Sequence, residues 1–308
     1  MIILKRKFVD VELPSGVGIS GEYKLVVSDA HGNVKRETDW FPNIILDQGL
    51  NRLGTDAGIA GAAIGTGTTV PAANQTGLVT QSAWTTTTAT GGSSTNAGAS
   101  PYWAGSTYVY RFTIGTLNGN YSEIGVGWAT GANMFSRALI LDSGGSPTTI
   151  TVGATEQLDV YYTRRIYPPL SDVVTTPTIS GVSTTVTTRA SNVNSSNHWS
   201  AGLFPSDTSN AGGVKFGYSG AIGAITAGPS GTTDSQYSSV LVAYSNNSYA
   251  RTMNITFGTD RGNYGGGMGS IFVPWYMAAF QHGFSPAIAK DNTKTLALVV
   301  SLSWARRP

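Results

Sequence analysis

The sequence contains no cysteine, only three histidines and few charged residues, and each shortage closes off a class of chemistry. Without cysteine there is no disulfide, no thiolate nucleophile and no cysteine-ligated zinc. His31, His198 and His282 lie far apart and none sits in a metal-ligand pair, so no metal or cofactor is expected. His31 reads as a turn residue, and the other two, beside Trp199 and between Phe280 and Phe284, read as core-edge or interface rings. Charged residues make up 12% of the chain, against about 25% in an ordinary globular protein. Neutral polar groups must therefore cover the surface. The net charge is +2 and the basic groups Lys5-Arg-Lys7, Lys35-Arg36, Arg164-Arg165 and Arg306-Arg307 are scattered, which gives no field for a nucleic-acid partner. No apolar run approaches membrane-spanning length. Met1-Ile-Ile-Leu-Lys-Arg-Lys places its apolar residues before its charges, unlike a secretory signal. The expectation is a protein made in a reducing cytoplasm and released by lysis.

What the chain does contain is glycine, 39 of them, with long Ser/Thr/Asn stretches and period-two alternation. These suit packed strands, tight turns and surfaces that bury themselves against copies of the same chain. From Gln157 to Tyr167, Leu158, Val160, Tyr162 and Ile166 share one face and Gln157, Asp159, Thr163 and Arg165 the other, with Arg164 interrupting the apolar side. Leu296, Leu298, Val300, Leu302 and Trp304 alternate in the same way, as do Tyr108, Tyr110, Phe112 and Ile114. A hairpin is expected over Glu22 to Trp40 with its turn at Asp29-Ala-His-Gly32, and another over 240–257, where Val240, Val242 and Tyr244 precede Ser245-Asn-Asn-Ser248. One short helix is expected near 43–53, capped by Asn43, with Leu46, Leu50 and Leu53 on one face. The Gly/Ala/Thr/Ser tract from Thr55 to Ser106 reads as short strands and loops packed on a neighbour, anchored by Trp84, Tyr102 and Trp103. Pro168-Pro169 removes two ladder donors and marks a boundary. The expected fold is all-β, with two antiparallel β-sandwich-like domains over 1–169 and 170–308.

Gly16-Val-Gly-Ile-Ser-Gly21 has dinucleotide-binding spacing, yet Pro14 precedes it and strand-like sequence follows, so the expected reading is a false match. Asp47, Asp56, Glu123, Asp142, Glu156, Asp159, Asp207, Asp234, Asp260 and Asp291 are spread over turns and strands, with nothing pairing them for acid-base work. No Gly-X-Ser-X-Gly elbow supports a serine hydrolase. Four aromatics in loop-like contexts, Trp199, Tyr218, Tyr237 and Tyr264, are the candidate glycan-stacking or interface residues.

Phe135-Ser-Arg-Ala-Leu-Ile-Leu, Asp142-Ser-Gly-Gly-Ser-Pro-Thr-Thr-Ile-Thr-Val and Gln157-Leu-Asp-Val-Tyr-Tyr-Thr-Arg-Arg-Ile-Tyr-Pro-Pro169 resemble the close of an N-terminal domain in tail and tail-fibre proteins of tailed bacteriophages. Phe41 to Gly54, Gly65 to Leu78, Tyr121 to Trp128, Gly283 to Leu296 and Ser301 to Arg306 fit the same picture in the same order. The resemblance implies a virion component of the tail, a tail-fibre or baseplate/tail-tip subunit, and with no catalytic set in the sequence the expectation is a non-enzymatic structural protein partnered by copies of itself and by other tail proteins. A host-surface glycan or receptor could be met by loops in Asn192 to Gly231. The alternatives are a monomeric carbohydrate-binding module, and a glycan hydrolase or esterase.

Overall fold

The computed structural model describes residues 11–56, 58–96, 98–206, 216–235 and 238–307. The chain is all-β, with 51% of it in strands and 2% helical, the helix being one short segment. Two compact units divide it: one contains the chain up to Gly18, Thr95–Trp103 and Tyr167–Ala305, and the other Ile19–Ser94, Ala104–Ile166 and the residues from Arg306. The expected boundary at Pro168-Pro169 lies beside the Ile166/Tyr167 passage. The first strand also passes from one unit to the other at Gly18/Ile19, because its alternation is unbroken there.

That strand, β1 (Glu12–Asp29), buries Leu13, Ser15, Val17, Ile19, Gly21, Tyr23, Leu25 and Val27 in strict alternation. The Gly16–Gly21 motif lies inside it, with no helix following, so it cannot cradle a pyrophosphate. At its end Asp29 Oδ1 accepts from the N–H groups of His31 and Asn33, with Gly32 at φ +83°, and the chain returns as β2 (Val34–Glu37). β3 (Phe41–Pro42) also pairs with β1. β4 (Ile44–Ile45) precedes α1 (Asp47–Arg52). The helix is shorter than expected and Asn43 does not cap it, because Ile44 and Ile45 are drawn into a sheet and Leu46 becomes the N-cap. Leu46, Leu50 and Leu53 are buried as expected.

The chain continues through β5 (Gly61–Gly65), β6 (Gln81–Thr85), β7 (Thr88–Asn96), β8 (Trp103–Phe112), β9 (Gly119–Tyr121), β10 (Glu123–Gly127), β11 (Met134–Leu139), β12 (Ile150–Val152) and β13 (Glu156–Tyr167). In the unit from Ile19, one sheet runs β1-β13-β8-β7 and a second runs β4-β11-β10-β5-β6. Their inner faces meet where the Tyr23 hydroxyl bonds Ser136 Oγ at 2.7 Å and the Arg164 guanidinium lies 5.3 Å from the Phe135 ring centroid. Arg164, the interruption in the apolar face of β13, is thus a buried cation over an aromatic ring.

The other unit holds β14 (Val173–Thr175), β15 (Thr178–Ile179), β16 (Val182–Ser183), β17 (Thr185–Ala190), β18 (Phe216–Tyr218), β19 (Thr233–Ser235), β20 (Ser238–Leu241), β21 (Ala250–Phe257), β22 (Met268–Pro274), β23 (Ala279–Ile288) and β24 (Leu296–Arg306). One sheet runs β14-β17-β23-β22-β18-β19 and β20-β21-β24 continues against the first part of β1. All five alternating apolar residues of β24 are buried, as are Met253, Ile255 and Phe257 opposite them. Val240 and Val242 depart from the expected pattern. They are 61% and 40% exposed, because Val240 lies in the edge strand β20 and Val242 just beyond its end, where no described residue covers them.

Candidate functional site

Two polar clamps, each fixing a long loop on a sheet, are the most developed side-chain constellations among the described residues. The first is a fully buried ion pair between Glu123 of β10 and Arg137 of β11, Arg137 Nη2 to Glu123 Oε2 at 2.8 Å. Antiparallel pairing of these strands sets Glu123 opposite Leu139 and Gly125 opposite Arg137, so the two charges are diagonal neighbours. Both then reach into the segment between β5 and β6. Glu123 Oε1 accepts from the N–H groups of Gly67 (3.0 Å) and Thr80 (2.7 Å), and Oε2 from Val79 N–H (3.0 Å). Arg137 Nη1 donates to Gln75 Oε1 (2.7 Å) and Nη2 to the Thr69 carbonyl (3.1 Å). Burial pushes the Arg137 guanidinium pKa down, opposed by the Glu123 carboxylate. A Cβ at residue 67 would stand 2.5 Å from Glu123 Oε1, so glycine is needed for that N–H to reach the carboxylate. From α1, Gln48 Nε2 adds bonds to the carbonyls of Thr76 (2.6 Å) and Met134 (2.7 Å).

The second clamp is Gln281 of β23, wholly buried. Its Oε1 accepts from Gly223 N–H at 2.8 Å while its Nε2 faces the carbonyls of Gly223 (3.1 Å), Ala224 (3.1 Å), Ala227 (3.2 Å) and Ala190 (3.4 Å). One side-chain amide thus holds the irregular segment between β18 and β19 against the sheet. Alongside it, Trp199 donates from Nε1 to the Ser191 carbonyl at 2.8 Å.

The aromatic candidates are distributed differently from a stacking platform. Trp199 is only 2% exposed, with its ring 5.8 Å from Phe280, so it is a core ring and cannot stack on a sugar from solvent. Tyr218 lies in β18 with its ring 6.3 Å from Phe216, and burial raises its phenol pKa. Tyr264 donates its hydroxyl to the Gly217 carbonyl at 2.6 Å, and burial pushes its pKa up to about 12. The structure therefore brings Tyr218 and Tyr264 to one strand, both half-buried. Tyr237 and Asp207 lie outside the described residues.

The remaining acidic candidates among the described residues are each engaged by a cation or a turn. Asp47 pairs with Arg306, Asp56 with Arg52, Glu156 with Arg36, Asp159 bidentately with Arg111, Asp234 and Asp260 with Arg261, and Asp291 with Lys294. Asp142 accepts from the N–H groups of Gly144 and Ser146. Among the described residues, no three or more His, Cys, Asp or Glu side chains converge as a metal-ligand group.

His282 is fully buried beside Gln281, its Nδ1 2.8 Å from Thr188 Oγ1 and its Nε2 without a partner among the described residues. Desolvation pushes its pKa from 6.5 down to about 3, and lowers that of His198, which packs edge-on to Phe272 at 5.3 Å. With the folded pKa below the unfolded one, the unfolded chain binds the extra proton. The stabilisation is complete above about pH 6.5 and is lost as pH falls toward 3, at up to about 1.4 kcal/mol per pH unit. The expected result is a falling unfolding midpoint between pH 7 and pH 5, above the carboxylate range, with a shallower slope in His282→Gln. Equal slopes would contradict this.

No protein-family model matches the chain, and neither the curated proteins nor the solved structures contain a match to it.

Proposed function

We propose that the chain is a non-enzymatic structural component of a bacteriophage tail, a tail-fibre or baseplate/tail-tip subunit that assembles with copies of itself and with neighbouring tail proteins in the virion. One observation supports this reading most. Four of the segments that carry the resemblance are parts of a single hydrogen-bonded construction around the buried Glu123–Arg137 pair: Gly65 to Leu78 is the clamped loop, Tyr121 to Trp128 supplies Glu123, Phe135 to Leu141 supplies Arg137, and Phe41 to Gly54 supplies Gln48. Their chemistry is spent on holding backbone in place. A loop fixed by buried bonds presents the same surface in every copy, which repeated interfaces require. Antibodies raised against the purified chain should decorate tails in electron micrographs of phage particles from the source lysate. Labelling of capsids, or of no particle, would overturn the assignment.

The carbohydrate-binding alternative draws on a different feature, an open groove of about 510 Å³ where Tyr102, Leu170 and Ile225 stand beside the bidentate Arg189–Asp172 pair. A ring, an apolar floor and fixed polar groups are what a sugar face and its hydroxyls would meet. That reading predicts a monomer with sugar affinity that Tyr102→Ala abolishes.

A further inference from the structure

We infer that β7 is the strand through which a second copy of this chain docks, an inference that rests on the assembly reading above and names its surface. Among the described residues β7 ends its sheet, with β8 as its one neighbour. Seven of its nine residues are exposed, two are half-buried and none is buried, so both faces and the free edge are open. Strands ordinarily gain their stability by burying a face, and a long uncovered edge is a template for another chain.

Exposed edges are usually blunted with charge, lysine above all. β2, at another edge in the same unit, follows that rule with Lys35, Arg36 and Glu37. β7 does not: its sequence is Thr-Ala-Thr-Gly-Gly-Ser-Ser-Thr-Asn, and the whole stretch between Asp56 and Arg111 contains no Asp, Glu, Lys or Arg. This electrostatic character selects the occupant. Docking between copies sets a chain against itself, where any charge risks facing its own sign, and a charge-free strand removes that repulsion. A strongly acidic or basic partner would find no complement here, and a lipid surface would find no large apolar side chain. Small Thr, Ser and Gly side chains let a second backbone approach to ladder distance, with hydroxyls available across the pair.

The test is Ser93→Lys with Ser94→Lys. Adjacent strand residues point to opposite faces, so the double variant charges both faces at once, and neither residue is buried in the single chain. By analytical ultracentrifugation the variant should dissociate at a protein concentration at least tenfold above the wild type, with circular dichroism unchanged. Assembly as tight as the wild type would overturn the proposal, as would dissociation caused instead by Val240→Lys with Val242→Lys, in and just beyond the short uncharged edge β20. Hydrogen exchange on the wild type decides the matter however the variants fold: β7 amides should be protected in the assembly and exchange freely once it is diluted apart. Free exchange in β7 within an intact assembly sinks this inference and leaves the tail assignment standing, whereas a wild type that is monomeric at every concentration removes both.

Discussion

Replacing Arg137 by Met is expected to destabilise its unit by about 3–5 kcal/mol, the largest single effect anticipated in the molecule. The cause is what remains behind. Glu123 would keep its carboxylate in a site with no exposure, still bonded to three backbone N–H groups but without its countercharge. Replacing both partners, Glu123→Gln with Arg137→Met, should cost less than the sum of the single changes, because no uncompensated charge is left. Urea unfolding of the four proteins gives the cycle directly. The segment from Thr66 to Thr80 should also become a cleavage site in Arg137→Met. Elastase is the appropriate probe, since that segment contains no Lys or Arg for trypsin. A loss below about 1 kcal/mol, with the loop still resistant, would show that the pair does not hold it.

The second large effect is expected from Gln281→Leu, at about 2–4 kcal/mol, since the donor to several carbonyls and the acceptor for Gly223 N–H disappear together. Gln281→Glu keeps the shape but turns the donor into a second acceptor facing those carbonyls. It should be at least as damaging at neutral pH and should recover in part in acid as the carboxyl becomes protonated. Hydrogen exchange at Gly223 to Ala227 locates the effect. Unchanged protection there in both variants would mean that the segment is held by its own turns.

What could be read from sequence follows from where the alternation is clean. β13 and β24 are legible because their apolar positions keep a two-residue period over their length, with Arg164 the one break in β13. The first half of β1 was hidden: Pro14, Gly16 and Gly18 occupy its half-buried positions and look like turn chemistry, although Leu13, Val17 and Ile19 alternate beneath them. Leucine spacing overextends the helix, because it cannot reveal that Ile44 and Ile45 pair with β11. Val240 and Val242 alternate correctly, yet period alone cannot say whether a neighbour covers the face they form.

The clamps were harder to see, since each depends on contacts distant in sequence. Glu123 was one acidic residue among many until pairing with β11 brought Arg137 beside it. A local signal did exist: a charged residue next to Ile124 and Val126, and another between Phe135 and Leu139, sit in strands buried along their whole length. A charge in such a strand must have a partner. Gln281 and His282, between Phe280 and Phe284 in β23, carry the same signal. Trp199 gave none, because Ser, Asn and His around it read as loop while its ring is taken up by Phe280.

The central claim, that this chain is a building block which assembles with itself, is tested most directly by the mass of the purified protein in solution, measured by light scattering across a dilution series. An assembly of two or more copies that comes apart only at high dilution is the predicted result. A monomer at every concentration would contradict it.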